Sequence, residues 1–387
     1  MSSRLAQLEA YRSWPVAVVA TIIGNACPIV QPLLVGVYVD ALGVELANAG
    51  YISATELAGL AIAALMVARF VGSVSLRKAG TIACSLFVMA NVLSLLAGGA
   101  FPMALCRLVA GCASGAALAI GGAMAARTTQ PDRVFALAFA GVTAYGTVFF
   151  MTVPAMMHSH GYPVLFVAQI LLGCIATACV GLLYHPGSTL KQAAGSVAAT
   201  SAPKRSLDTV RILLCGFALY VGHAAIWTYE ERMGTRLGMA PADIGNALSL
   251  ASIAGLIGAL IAAGIGTRMG RALPQIVALT LSVIAALLIV SSANALSYAF
   301  AACLIALSWF YGLPYLAGLA SALDLTGRRA AELQAVMNIG YALGPMVAAT
   351  LVTATFSSIG WLAASCYALC LLLVVGPARR HDRQAGR

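Results

Sequence analysis

Twelve long apolar stretches divide this chain, at residues 14–40, 51–73, 79–100, 103–126, 134–156, 163–184, 209–231, 244–266, 273–293, 297–322, 331–355 and 359–376. Each is close to the ~17–25 residues a helix needs to cross about 30 Å of hydrocarbon. Lipid offers the backbone no hydrogen-bond partners, so such stretches are expected to be helices. Composition agrees, with 61% of residues apolar and 9% charged, against ~25% charged in an ordinary soluble domain. Water could not solvate so much apolar surface, and the sequence predicts an all-α integral membrane protein. The first stretch far exceeds the ~7–15-residue core of a secretory signal and is expected to remain as a span.

Basic residues fix the expected orientation. Arg4 and Arg12 precede the first span, Arg69, Arg77 and Lys78 lie at the 2–3 loop, and Arg127 and Arg133 at the 4–5 loop. Lys191, Lys204, Arg205 and Arg211 occupy the middle loop, Arg268 and Arg271 the 8–9 loop, Arg328 and Arg329 the 10–11 loop, and four arginines the tail. Cytoplasmic loops collect Lys and Arg, so both termini and all these loops are expected in the cytoplasm. A bacterial inner membrane is the expected location. The formal charge of +10 is thus topogenic, and no soluble basic module suggests nucleic acid as a partner. All ten cysteines fall in apolar spans, with no disulfide framework or metal-ligand spacing.

One break interrupts the pattern. His185-Pro186-Gly187 ends the sixth span, and an Ala/Ser/Gly-rich segment follows. Residues 185–208 read as a flexible linker between six-helix halves at 1–184 and 209–387. The halves echo one another: Gly24-Asn25 matches Gly222-His223 at an offset of 198, and Tyr145 and Arg133 match Tyr341 and Arg329 at 196. Repeated halves of this kind are characteristic of secondary transporters.

Two motifs carry a resemblance. Arg107, Gly111 and Gly115 fit an R-x-x-x-G-x-x-x-G pattern in the fourth span, and Arg268-Met269-Gly270-Arg271 the second half of a cytoplasmic loop motif. With the span count and middle loop, the chain resembles the major facilitator superfamily over essentially its whole length. The loop motif departs from the family at Thr267, where an acid is usual, and its first copy retains only Arg77-Lys78. The resemblance implies twelve helices in two pseudo-symmetric halves around a central cavity. It assigns Arg77, Lys78, Arg268, Gly270 and Arg271 to a conformational gate. Gly340 to Pro345 resembles the family's antiporter element, but in span 11 rather than span 5, and so gives no direction of transport.

Charges at membrane depth are costly and mark function. Arg107 lies ~8 Å and Glu56 ~9 Å inside the same face, counting 1.5 Å per residue. Their ion pair would suit a proton switch, since a moving Arg changes how readily a carboxylate ionises, or a fixed brace between helices. His223 is a second relay candidate, because imidazole titrates near neutral pH. Asp40 reads as interfacial, and Glu230 and Glu231 as solvated charges at the outer mouth. Asn25 and Gln31, beside Pro28 and Pro32, mark the first span as facing protein or a cavity. Trp227 shares a helix face with His223. Trp309, Tyr311 and Tyr315 form a mid-span aromatic group suited to an organic ligand, with Tyr145, Asn338 and Tyr341 as companions. His158 and His160 are too few for a metal site, and no cofactor or nucleotide motif appears.

The expected function is secondary active transport of a small organic solute by alternating access, driven by protons, since ionisable residues lie within the spans and no nucleotide-binding motif is present. Efflux of drugs or metabolites and uncoupled facilitation are the alternatives within that class. A membrane sensor would need a soluble domain that these loops cannot hold. An intramembrane enzyme would need clustered ligands or an activated nucleophile, which the spans lack. The partners expected are the solute, protons and lipid, with the protein acting as a monomer.

Overall fold

The computed structural model describes residues 2–70, 73–126, 128, 131–183, 206–323, 328–352 and 356–385. Most of the expected linker, including Lys191, Lys204 and Arg205, lies outside the described residues, as does Arg127.

Twelve α-helices form among the described residues, and no strand. They are α1 (Ser2–Asp40), α2 (Leu46–Phe70), α3 (Leu76–Leu95), α4 (Ala100–Ala126), α5 (Pro131–His160) and α6 (Pro163–Ala178), which runs on as a π-turn at Cys179–Leu183. Then come α7 (Leu207–Arg236), α8 (Pro241–Ile265), α9 (Ala272–Val290), α10 (Ala295–Ala322), α11 (Arg328–Leu351) and α12 (Ser357–Ala385). Eleven contain windows long and apolar enough to span a membrane by themselves. The exception is α11, where Glu332, Gln334 and Asn338 dilute the apolar run. Leu372 and Leu296 stay 82% and 81% exposed, a placement that lipid rather than water would favour.

Local chemistry explains the helix ends. Ser206 caps α7 by accepting from the Thr209 N–H at 3.2 Å, so the helix starts within the segment read as linker. Asn294 and Ser297 form a reciprocal capping box on α10, satisfying donors that a helix start leaves free. The chain leaves α1 and α7 through Gly43 (φ 62°) and Gly238 (φ 72°), where a side chain would be strained. These glycines recur at nearly the spacing of the sequence echo.

The helices gather into two compact units. Within the described residues, the first comprises Met1–Val30, Thr55–Tyr145 and Tyr162–Lys204, and the second Gln31–Ala54, Gly146–Gly161 and Arg205–Arg387. In the first, α3 packs on α4 and α6; in the second, α7 packs on α11 and α12, and α10 on α8 and α9. The second unit also includes the end of α1, the start of α2 and the end of α5. Specific contacts hold them there: the Ser249 hydroxyl donates to the Thr147 carbonyl at 3.2 Å, and Gly245 lets the backbone of Phe150 approach without a side chain between them.

Candidate functional site

The first unit holds a buried ion pair. Arg107 and Glu56 are both fully buried, with Nη1 3.3 Å from Oε1. Arg107 Nη2 donates to Asn91 Oδ1 at 3.1 Å and Ser94 Oγ at 2.7 Å, and the guanidinium lies 5.4 Å from the centre of the Phe166 ring. One cation on α4 is therefore tied to α2, α3 and α6. Asn91 and Ser94 donate to carbonyls of their own helix, at 2.8 and 2.7 Å, and present oxygens to the arginine. Sequence reading missed them, although two polar residues one turn apart on an apolar helix were a usable signal. The glycine motif explains the approach. Cβ atoms at Gly111 and Gly115 would meet the carbonyl oxygens of Glu56 and Leu60, so small residues bring α4 against α2 at the height where the pair forms.

The second unit holds an aromatic cluster. His223 stacks on Trp309 with centroids 3.6 Å apart and planes at 13°, while Trp227 lies 6.4 Å away and nearly parallel. Tyr220 joins at 4.7 Å from Trp309 and 5.7 Å from Tyr341, and Phe150 meets Trp227 edge-on at 5.9 Å. Six rings from α5, α7, α10 and α11 thus form one continuous group. His223 is 9% exposed, and its Nδ1 has no hydrogen-bond partner. Tyr220 went unnoticed in the sequence, yet it precedes His223 by one helical turn and lies on its side of α7.

The remaining candidates divide. Tyr311 and Tyr315 turn from Trp309 into a core cluster with Ala262 and Ala278, and the Tyr315 hydroxyl donates to the Ala262 carbonyl at 3.3 Å. Asn25 is half-buried and donates to its own helix at the Thr21 carbonyl, 2.9 Å away. Gln31 is fully buried in α1, and Tyr145 donates to Gln169 of α6. Asn338 accepts from Gln334 at 3.0 Å, three residues before Tyr341.

Among the gate residues, Arg77 donates through Nε to the Gly181 carbonyl at 2.6 Å, within the π-turn. The Lys78 side chain is exposed, and its backbone N–H reaches the capping Ser75. Arg268 is exposed. Gly270 turns at φ 71°, and Asp382 of α12 accepts from the backbone N–H groups of Arg271 and Ala272, both at 2.9 Å. An acid absent at position 267 is thus supplied to the same turn from α12, where it caps α9 and complements its dipole.

At the far end of α1 Asp40 keeps a side chain 64% exposed, and both its oxygens accept from Arg232 of α7, at 2.8 and 2.6 Å. Arg232 also holds Glu231, with Nε 2.6 Å from Oε2. The structure corrects the reading of Glu230 and Glu231 as solvated charges: they are 1% and 9% exposed. The helix runs on to Arg236, so residue 230 lies more than a turn inside its end and is covered by neighbouring helices. Gly36 permits this clamp, since a Cβ there would fall 2.9 Å from Glu231 Oε2.

The Major Facilitator Superfamily profile matches residues 212–386. No curated protein matches the chain. Among solved structures, the D-xylose-proton symporter aligns over 95% of this chain and 97% of its own, at 14% identity and TM-score 0.74. A bacterial homologue of the human lysosomal transporter Spinster, in an inward-facing and unoccupied conformation, aligns over 96% and 95%, at 11% identity and TM-score 0.70. At these identities the structural likeness shows the fold alone. The family match is thus confined to residues 212–386, while the fold over nearly the whole chain is the one these solved transporters share.

Proposed function

We propose that the protein carries a small organic solute by alternating access and draws on a proton gradient. The ring cluster around His223 carries this reading. Stacked aromatic faces with polar edges suit an organic molecule with an apolar body and a few hydrogen-bonding groups, and His223 Nδ1 has no partner within the protein. Asn338, one turn from Tyr341, adds an amide beside that group. The clamp of Asp40, Arg232 and Glu231 supports alternating access. It fastens the ends of α1 and α7 on one membrane face and must release for that face to open. A fold shared with a protein named a proton symporter supports the choice of ion, as do ionisable groups within the spans.

The distribution of basic residues supports both termini in the cytoplasm and the clamp on the outer face of a bacterial inner membrane. A screen for thermal stabilisation identifies the solute, because a ligand that binds the folded state raises its stability. Flux of that solute in proteoliposomes, with and without a pH gradient, then tests the driver. Accumulation only under the gradient is expected. Equal flux in both conditions would leave an uncoupled facilitator, and no flux of any stabilising solute would overturn the transport substrate reading.

A further inference from the structure

Glu230 is 1% exposed, and neither carboxylate oxygen has a hydrogen-bond partner. This contrasts with Glu56, which faces a guanidinium. A charged carboxylate with neither donor nor cation is among the costliest arrangements a membrane span can hold, and a bound proton removes that cost. The surroundings offer no substitute. Tyr298 of α10 is within electrostatic reach, but its hydroxyl donates to the Glu230 backbone carbonyl, at 3.0 Å. Cys303 of α10 and Tyr367 of α12 are the other titratable groups facing it from those helices. The α9 helix carries no titratable side chain, α8 only the exposed Asp243, and α11 has Tyr341 against Tyr220 and, in its first turns, Arg328 and the Arg329–Glu332 ion pair. On α7 itself, Tyr229, Glu231 and Arg232 are neighbours in sequence.

Its position joins the two features already described. Glu230 follows His223 by seven residues, about 20° apart around the helix and ~10 Å along it. It also immediately precedes the clamp, whose outer member, Asp40, has a side chain 64% exposed. In the clamp one cation faces two carboxylates, so ionised Glu230 would add to an existing excess of negative charge. While the clamp is closed the carboxyl is sealed from water; release of Arg232 from Asp40 frees the end of α7 and gives it an exit.

We propose that Glu230 is a proton-binding site of the transport cycle, loaded and emptied when the Asp40–Arg232 clamp opens. One proton passes from water to a Glu230 oxygen and later returns to water, with no other bond made or broken. This inference rests on the proton-driven reading and adds the residue at which the proton is held.

Infrared difference spectra of the full-length protein in lipid vesicles, recorded between acid and alkaline pH, test it with the proton as the only ligand. The expected result is a carboxylic C=O band that titrates and shifts in heavy water, is lost in Glu230→Gln, and persists in Glu56→Gln. If Glu230→Gln does not fold, Glu230→Met keeps a similar shape without an amide and is judged in the same way. A band that survives in the Glu230 variant, or no titrating carboxylic band in the wild type, overturns the proposal. The flux assay separates the two claims. A Glu230 band with uptake indifferent to the gradient leaves the proton site and removes proton-driven transport. Gradient-driven uptake with a band belonging elsewhere does the reverse.

Discussion

Arg107 shows how much one buried charge organises. Its guanidinium satisfies Glu56, Asn91 and Ser94 together, so removing the carboxylate leaves a cation sealed from water. Breaking one side of a buried pair costs about 3–5 kcal/mol. Glu56→Gln and Arg107→Met should each lower the melting temperature, and the double variant should recover part of the loss. An additive double variant in a thermal-shift series would show that the two do not act as a pair. The aromatic residues of α10 should separate equally clearly. Trp309→Ala is expected to weaken solute binding about tenfold or more, a loss of ~1.4 kcal/mol, with little change in folding. Tyr315→Ala opens a core cluster instead and should cost on the order of 2 kcal/mol in stability, with solute affinity retained. Binding titrations alongside melting curves distinguish these outcomes.

Between elements, close approach depends on residues without side chains. Gly111 and Gly115 bring α4 onto the backbone of α2, and that approach aligns Arg107 with Glu56. Gly111→Ala would force the helices apart or bend one, with overpacking expected to cost about 1–3 kcal/mol; Gly122→Ala, in open space on the same helix, should cost far less. Comparable melting temperatures for the two would contradict the packing account. The clamp belongs to this scale as well. Arg232→Ala removes the cation between α1 and α7, so a cysteine placed at the buried Ser53 of α2 should be alkylated faster than with Arg232 intact. An unchanged rate would mean that other contacts hold that face closed.

For the whole molecule, the basic loops make the testable statement. Single cysteines at Ser196 and Ser159 in a cysteine-free background should label from opposite sides of the membrane, the first from the cytoplasm. Labelling of both from one side would overturn the positive-inside orientation. The fold class, the number of helices and their approximate limits follow from the sequence alone, because lipid leaves an apolar backbone no alternative to the helix. The reach of Arg107 toward Glu56 was also legible, since counting residues from span ends puts both at one depth. Lateral partners were not. Whether Trp309 meets His223 while Tyr311 turns to α8 and α9, whether Asp40 finds Arg232, and whether Glu230 is covered depend on helix rotation and tilt. Those are set by packing over the full length of each helix, and no periodicity within one apolar stretch encodes which neighbour lies against which face.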